Sequence, residues 1–261
     1  QYSCDTPILT FNSMLRFLTK KLYPHSLTNE DRHPKFIVLG GDMPAHVLGY
    51  SMKQLHLFIG DMVQNISNSF NQGISNIPIV FVLGNNEYVP NYGENDFSSD
   101  IDNFASLYEN VIDPYILKNK SITGKEYANE QRSTFLKGGY YYYDIPECNL
   151  RILSVNSIIY NAYRTRDLNL IDPNGTLNFD LNDPYGQFEW ILSTSLKAKN
   201  EHNYTVGIAL HLPPGMTYTT GDYAAVLQGW HTHYIDRFDE ILAQANIEFV
   251  LGAHSHYDMF L

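Results

Sequence analysis

The chain has 261 residues, 44% of them hydrophobic and 17% charged, which suits one large α/β domain or two small ones around a sizeable core. Its formal net charge of -11 at pH 7 argues against non-specific binding to a nucleic acid polymer or an anionic membrane, since both need a surplus of Lys and Arg. A phosphorylated substrate stays open, because bound cations reverse the local field inside a pocket.

In chain order, Asp5-Thr6-Pro7 signals a helix start, a cap residue followed by proline in the first turn, with Leu9, Phe11, Leu15, Leu18 and Leu22 on one side. A strand is predicted over 36–39, a helix over 52–70 with Leu55, Ile59, Met62 and Ile66 in step, and a strand over 79–83. A helix follows over 101–117. The stretch 119–143 is polar and then tyrosine-rich, an excursion expected to end in an edge strand. Strands at 150–155, 206–210 and 247–251 alternate with helices over 186–197 and 234–245. Every strand is a near-continuous apolar run, as for strands buried on both faces, and the alternation implies an α/β domain with a layered sheet. The longest apolar run, 77–83, is strand-sized, far short of the roughly 20 residues of a transmembrane helix.

Chemistry-bearing residues follow four of the strands. Gly40-Gly41-Asp42, with His46 four residues on, follows the first, and Gly84-Asn85-Asn86-Glu87 follows the second. His211-Leu212-Pro213-Pro214-Gly215 follows 206–210, and Gly252-Ala253-His254-Ser255-His256 follows 247–251. Taken singly, the first two read as ordinary turns, and His211 could be a capped loop histidine. His254 and His256, two apart, point the same way. Four such endings in one order outweigh four separate accidents, because ligands collect at the C-terminal edge of α/β sheets. Carboxylate, carboxamide oxygen and imidazole suit zinc, iron or manganese better than a metal that prefers thiolate.

This order of motifs resembles the calcineurin-like metallophosphoesterases, and finer features resemble their acid sphingomyelinase-like phosphodiesterase branch. These are Cys4-Asp5-x-Pro7, Gly41-Asp42-Met43-Pro44-Ala45-His46, Ser154-Val155-Asn156 with Tyr160, Asp183-Pro184-x-Gly186-Gln187-x-x-Trp190, and His254-Ser255-His256-Tyr257-Asp258. The resemblance implies a layered α/β/β/α sandwich with a two-metal site at the strand ends. Asp42 would bridge the metals, with Asn85, His211 and His254 completing one site and His256 serving the other. His46 would sit beside the substrate phosphate, with Asn156 and Tyr160 near the substrate. The implied reaction is hydrolysis of a phosphodiester by a metal-bound hydroxide. The substrate would be a sphingomyelin-like headgroup, a nucleotide or another small diester.

The chain departs from the family pattern in places. Gly-Asn-His-Asp/Glu reads Gly84-Asn85-Asn86-Glu87 here, so the histidine thought to protonate the leaving group is Asn86. The family's Asp-x-His, which supplies two ligands to the site that His256 joins, is not among these residues. The chain is therefore expected to be one catalytic core lacking its N-terminal Asp-x-His strand and its C-terminal strands. Two rivals follow: a relative kept as an extracellular binding or structural glycoprotein, favoured by Asn86, and a polyphosphate-cleaving enzyme, disfavoured by the acidic balance.

Four Asn-x-Ser/Thr sequons, at Asn65, Asn119, Asn174 and Asn203, make glycosylation a candidate. Together with 20 tyrosines and few charges, they point to a secreted, lysosomal or other lumenal protein. The first residue is Gln1, so a processed leader or a longer N-terminus is expected. Cys4 and Cys148 could pair. The run Tyr140 to Tyr143 reads as an edge strand whose rings cover the core, in preference to a stacking platform.

Overall fold

A computed structural model describes residues 8–22, 34–45, 49–70, 77–93, 99–117, 125–161, 182–218 and 226–255. Apolar β-branched runs form the strands. β1 (Ile37–Leu39) and β2 (Ile79–Phe81) pair in parallel, with Leu39 opposite Phe81. A second, four-stranded sheet has the order β3-β4-β5-β8. Its members are β3 (Tyr141–Ile145), β4 (Leu150–Val155), β5 (Thr205–Leu210) and β8 (Phe249–Leu251). β4, β5 and β8 are mutually parallel, and β3 closes one edge antiparallel to β4. β6 (Met216–Tyr218) and β7 (Val226–Gln228) form a separate hairpin.

The two larger sheets are joined by side chains. The backbone N–H and C=O of Phe81 point away from β1, where a further strand would pair. Instead the Tyr141 hydroxyl accepts from the Phe81 N–H at 2.8 Å and donates to its carbonyl at 2.9 Å, and Ser154 Oγ donates to the same carbonyl at 2.8 Å. Phe81 and Tyr141 are fully buried, and each backbone group left unpaired there would cost about 1–3 kcal/mol.

Helices cover the sheets. In α2 (Met52–Phe70), Leu55, Ile59, Val63 and Ile66 form the buried stripe. α3 (Asp100–Leu107) runs on into wider turns over Tyr108–Leu117, where Pro114 sits. α4 (Lys125–Gly138) occupies the stretch expected to be an excursion, for which no helix was predicted; its sequence is polar, and only Gln131, Phe135 and Gly138 are buried. The edge strand expected at the end of that stretch is β3, and Tyr140 to Tyr143 are all buried. α5 (Gln187–His202) and α6 (Thr232–Ala245) pack on each other. α1 (Ile8–Phe17) buries Leu15, whereas Leu9, expected on the same side, is 76% exposed. Among the described residues, no helix is long and apolar enough to cross a membrane.

Candidate metal centre

The C-terminal ends of β1 and β2 bring two loops together, backbone against backbone. A Cβ on Gly41, whose φ is +86, would fall 2.6 Å from the Gly84 nitrogen, and one on Gly84 would fall 2.5 Å from the Asp42 nitrogen. Glycine on both sides permits this approach. Asp42 itself is left-handed, with φ 54. The Glu87 carboxylate ties the loops by accepting three backbone N–H groups: Asp42 at 2.9 Å, Met43 at 2.7 Å and Gly84 at 2.7 Å. Behind it, the buried His56 of α2 donates from Nε2 to the Glu87 carbonyl at 2.9 Å, and its Nδ1 meets Ser106 Oγ at 2.8 Å.

Four side chains converge in front of this frame. His211 Nε2 lies 3.2 Å from Asp42 Oδ2, 3.2 Å from Asn85 Oδ1 and 3.0 Å from His254 Nδ1. His211 Nδ1 is 2.6 Å from the Gly40 carbonyl, an acceptor only, so in the neutral ring Nδ1 carries the hydrogen and Nε2 presents a lone pair. It therefore faces a carboxylate oxygen, an amide oxygen and a second imidazole nitrogen. A proton on Nε2 would satisfy one of these neighbours; a cation satisfies all four groups. Ligands of one ion at about 2.1 Å lie roughly 3.0–3.4 Å apart in octahedral or tetrahedral arrangement, matching the three separations from His211 Nε2. Among the described residues, Asp42, His211 and His254 form a group whose ligand atoms all lie within 4.8 Å of one another.

The electrostatics agree. Burial opposes ionisation of Asp42, but the hydrogen bond and charge of His211 and the Asn86 N–H outweigh it and lower its pKa. Burial likewise disfavours His211 as a cation, and its contacts with Asp42 and Gly40 reverse that and raise it. Burial pushes the Glu87 carboxyl up to about 7, with the Asp42 charge adding to it.

A profile of the calcineurin-like phosphoesterases matches residues 11–258. The chain belongs to this family. It is 26% identical over 267 residues to sphingomyelinase phosphodiesterase C of Dictyostelium discoideum, covering 99% of this chain and 49% of that protein. It is 24% identical over 260 residues to the human cyclic GMP-AMP phosphodiesterase SMPDL3A, covering 99% and 49%. With sphingomyelin phosphodiesterase 2 of Caenorhabditis elegans it shares 23% identity over 266 residues, all of this chain and 36% of the relative. These similarities place it in the acid sphingomyelinase-like branch. The chain spans about half, or less, of the length of these relatives.

Of the site residues expected in this calcineurin-like phosphoesterase, the structure brings together Asp42, Asn85, His211 and His254; His46 and His256 lie outside the described residues. Asn86 is 6% exposed and turned into the loops. Asn156 and Tyr160, expected near the substrate, are fully buried and partnered internally. Asn156 donates to the Tyr88 hydroxyl at 2.7 Å and the Gly138 carbonyl at 2.8 Å. The Tyr160 hydroxyl accepts from Gln187 at 2.7 Å, and its ring stacks on Phe188 at 4.7 Å. Both are therefore set in the core and do not line the site, because the apolar run of β4 and the aromatic face of α5 enclose them. Among the sequons, Asn65 and Asn203 are exposed; Asn119 and Asn174 lie outside the described residues, as does Cys4, while Cys148 is exposed.

Sequence reasoning missed Glu87 and His56 as parts of this centre, and also Asn91, whose side-chain oxygen accepts from Asn85 Nδ2 at 3.0 Å. A lone histidine beside Leu55 on the apolar stripe of α2 was the available signal for His56. Glu87 closed a motif that read as a turn.

Proposed function

We propose that this chain hydrolyses a small phosphodiester, with a divalent cation held by Asp42, Asn85, His211 and His254. The observation that carries this reading is the meeting of a carboxylate oxygen, an amide oxygen and a second imidazole nitrogen on His211 Nε2 at 3.0–3.2 Å. In the same reading the fold is a layered α/β/β/α sandwich, and Asp42 and His256 would help to hold a second cation. Zinc suits the donor set, with iron or manganese as alternatives. Such cations, when bound, acidify a water so that hydroxide exists near neutral pH and draw charge off the phosphate oxygens.

The remaining work falls to the chain. The Glu87 clamp keeps the Asp42 and Asn85 loops in register, so that the phosphate meets a preformed site. His46 would stabilise the phosphate. Asn86 stands where the family has its proton donor, and an amide holds no proton to give at useful pH, so the departing oxygen leaves unassisted. The named relatives act on sphingomyelin-type lipids and on cyclic GMP-AMP, and a lipid headgroup or nucleotide diester is the substrate class proposed here, met outside the cytosol. A small diester also agrees with the acidic balance better than a long polyanion does.

The test compares a nitrophenyl diester with an alkyl diester, before and after chelation. Activity should vanish with chelator and return with Zn²⁺ or Mn²⁺. The alkyl diester should lag by about 10²–10⁴-fold, the usual contribution of a general acid. Hydrolysis indifferent to chelator would sink the reading, and ordinary rates on the alkyl diester would move the proton donor to another residue, His46 first.

A further inference from the structure

The side-chain oxygen, the side-chain N–H₂ and the backbone N–H of Asn86 are all engaged, and each engagement bears on a ligand or its loop. Its Oδ1 accepts from Asn85 Nδ2 at 2.8 Å and from Asn91 Nδ2 at 3.0 Å. Its Nδ2 donates to the Pro44 carbonyl at 3.3 Å, and its backbone N–H donates to Asp42 Oδ1 at 2.9 Å. Asn85 Nδ2 also donates to Asn91 Oδ1 at 3.0 Å. Three amides thus close a ring in which both N–H bonds of Asn85 point to oxygens of Asn86 and Asn91. Only the Asn85 oxygen is left to face His211 Nε2.

The alternative orientation shows what this does. Turning the Asn85 amide by half a rotation would set its oxygen against Asn86 Oδ1 and Asn91 Oδ1, three acceptors with no hydrogen between them. It would also aim an N–H₂ group, which has no pair to donate, into the cluster of ligand atoms. Buried donors and acceptors left unmatched in this way are costly. The carboxylate is handled similarly: the Asn86 N–H occupies Asp42 Oδ1 and leaves Oδ2 for the cluster.

We infer that Asn86 is a positioning residue for the cation site: its side-chain oxygen, with Asn91, fixes the Asn85 amide with oxygen toward the ion. The inference rests on the proposed cation site. It gives residue 86 a task that needs a side-chain oxygen accepting two N–H groups, which proton donation does not. The backbone N–H to Asp42 persists in any substitution other than proline, so side-chain variants isolate the amide ring.

The test uses Co²⁺ alone as the probe, with no substrate. The parent, Asn86→Leu (the same branching, no polar atoms) and Asn86→Asp (the accepting oxygen kept, the N–H₂ that donates to Pro44 replaced by oxygen) are titrated by calorimetry, and the visible ligand-field absorption is recorded at saturation. Asn86→Leu should bind Co²⁺ about 10–100-fold more weakly, the usual cost of losing a group that orients a ligand. Its saturated spectrum should also change, because an oxygen ligand has left. Asn86→Asp should stay within about 3-fold of the parent or bind more tightly. A general loosening of the fold would weaken binding without altering the spectrum of the saturated form. Asn86→Leu with parental affinity and spectrum overturns the inference while leaving the cation site standing. A parent that takes up no Co²⁺ overturns both. If Asn86→Leu lacks the parental circular dichroism, the exposed Asn91→Ala decides instead: an altered spectrum supports the ring, and an unaltered one overturns it.

Discussion

His56 should make the protein acid-sensitive by an amount that can be read directly. It is fully buried, and burial lowers its pKa from 6.5 to about 4, against a smaller opposing effect of the Glu87 carbonyl. The folded value lies below the unfolded one, so the unfolded chain takes up the proton first. The stability held above about pH 6.5 is therefore lost as pH falls, down to about pH 4, where the loss levels off. At pH 5 the unfolded imidazole lies about 1.5 units below its pKa while the folded one is still neutral. At about 1.4 kcal/mol per unit, that is roughly 2 kcal/mol, or about 4–8 °C in Tm for a domain of this size. His56→Gln can donate to the Glu87 carbonyl and accept from Ser106 without titrating. Thermal melts of both proteins between pH 7 and pH 5 would measure the difference in slope, which removes any constant cost of the substitution. Parallel loss in the two proteins would refute the argument. So would a steeper loss in His56→Gln.

Three further outcomes follow from the packing and the sequons. In Gly84→Ala the new Cβ would meet the Asp42 nitrogen and Oδ1 at 2.5 Å and Glu87 Oε2 at 2.7 Å, so a loss of about 1–3 kcal/mol is expected in urea titrations. Arg151, 1% exposed, holds Asp144 through two bonds of 2.6 and 2.8 Å. Arg151→Met should cost about 3–5 kcal/mol by stranding that carboxylate, and Arg151→Met with Asp144→Leu should cost clearly less than the single change. Treating native protein with an N-glycosidase should lower its mass through at least one of Asn65, Asn119, Asn174 and Asn203, and an unchanged mass would remove support for a lumenal location.

Elements whose signal is a run of apolar residues were legible in the sequence. β4 spans 150–155 and α2 spans 52–70 as expected, because β-branched density and a regular buried stripe both come from burial itself. α4 was not legible: of its buried residues Gln131, Phe135 and Gly138, only Phe135 is a large apolar side chain, so the sequence shows no apolar stripe. Leu9 misled for the converse reason, since periodicity marks an apolar side without saying that anything covers it. At the site, ligand types were readable because each follows a strand. Hydrogen-bond roles were not, since the Glu87 clamp and the amide ring of Asn85, Asn86 and Asn91 depend on which loop lies beside which. Asn156 and Tyr160 carried a family pattern that says nothing about depth, and both lie in the core.

The joint at Phe81 has a mechanical consequence. Asp42 and Asn85 ride on the sheet of β1 and β2, whereas His211 and His254 ride on the sheet of β5 and β8. The candidate ligands are therefore split two and two between sheets joined by the hydroxyls of Tyr141 and Ser154 and by the contact of His211 with the Gly40 carbonyl. In the proposed reading an ion held by all four would act as a rivet across that joint, with the hydroxyls as its dowels. Slackening either would let the pairs slide past each other as blocks, with each pair keeping its own internal spacing.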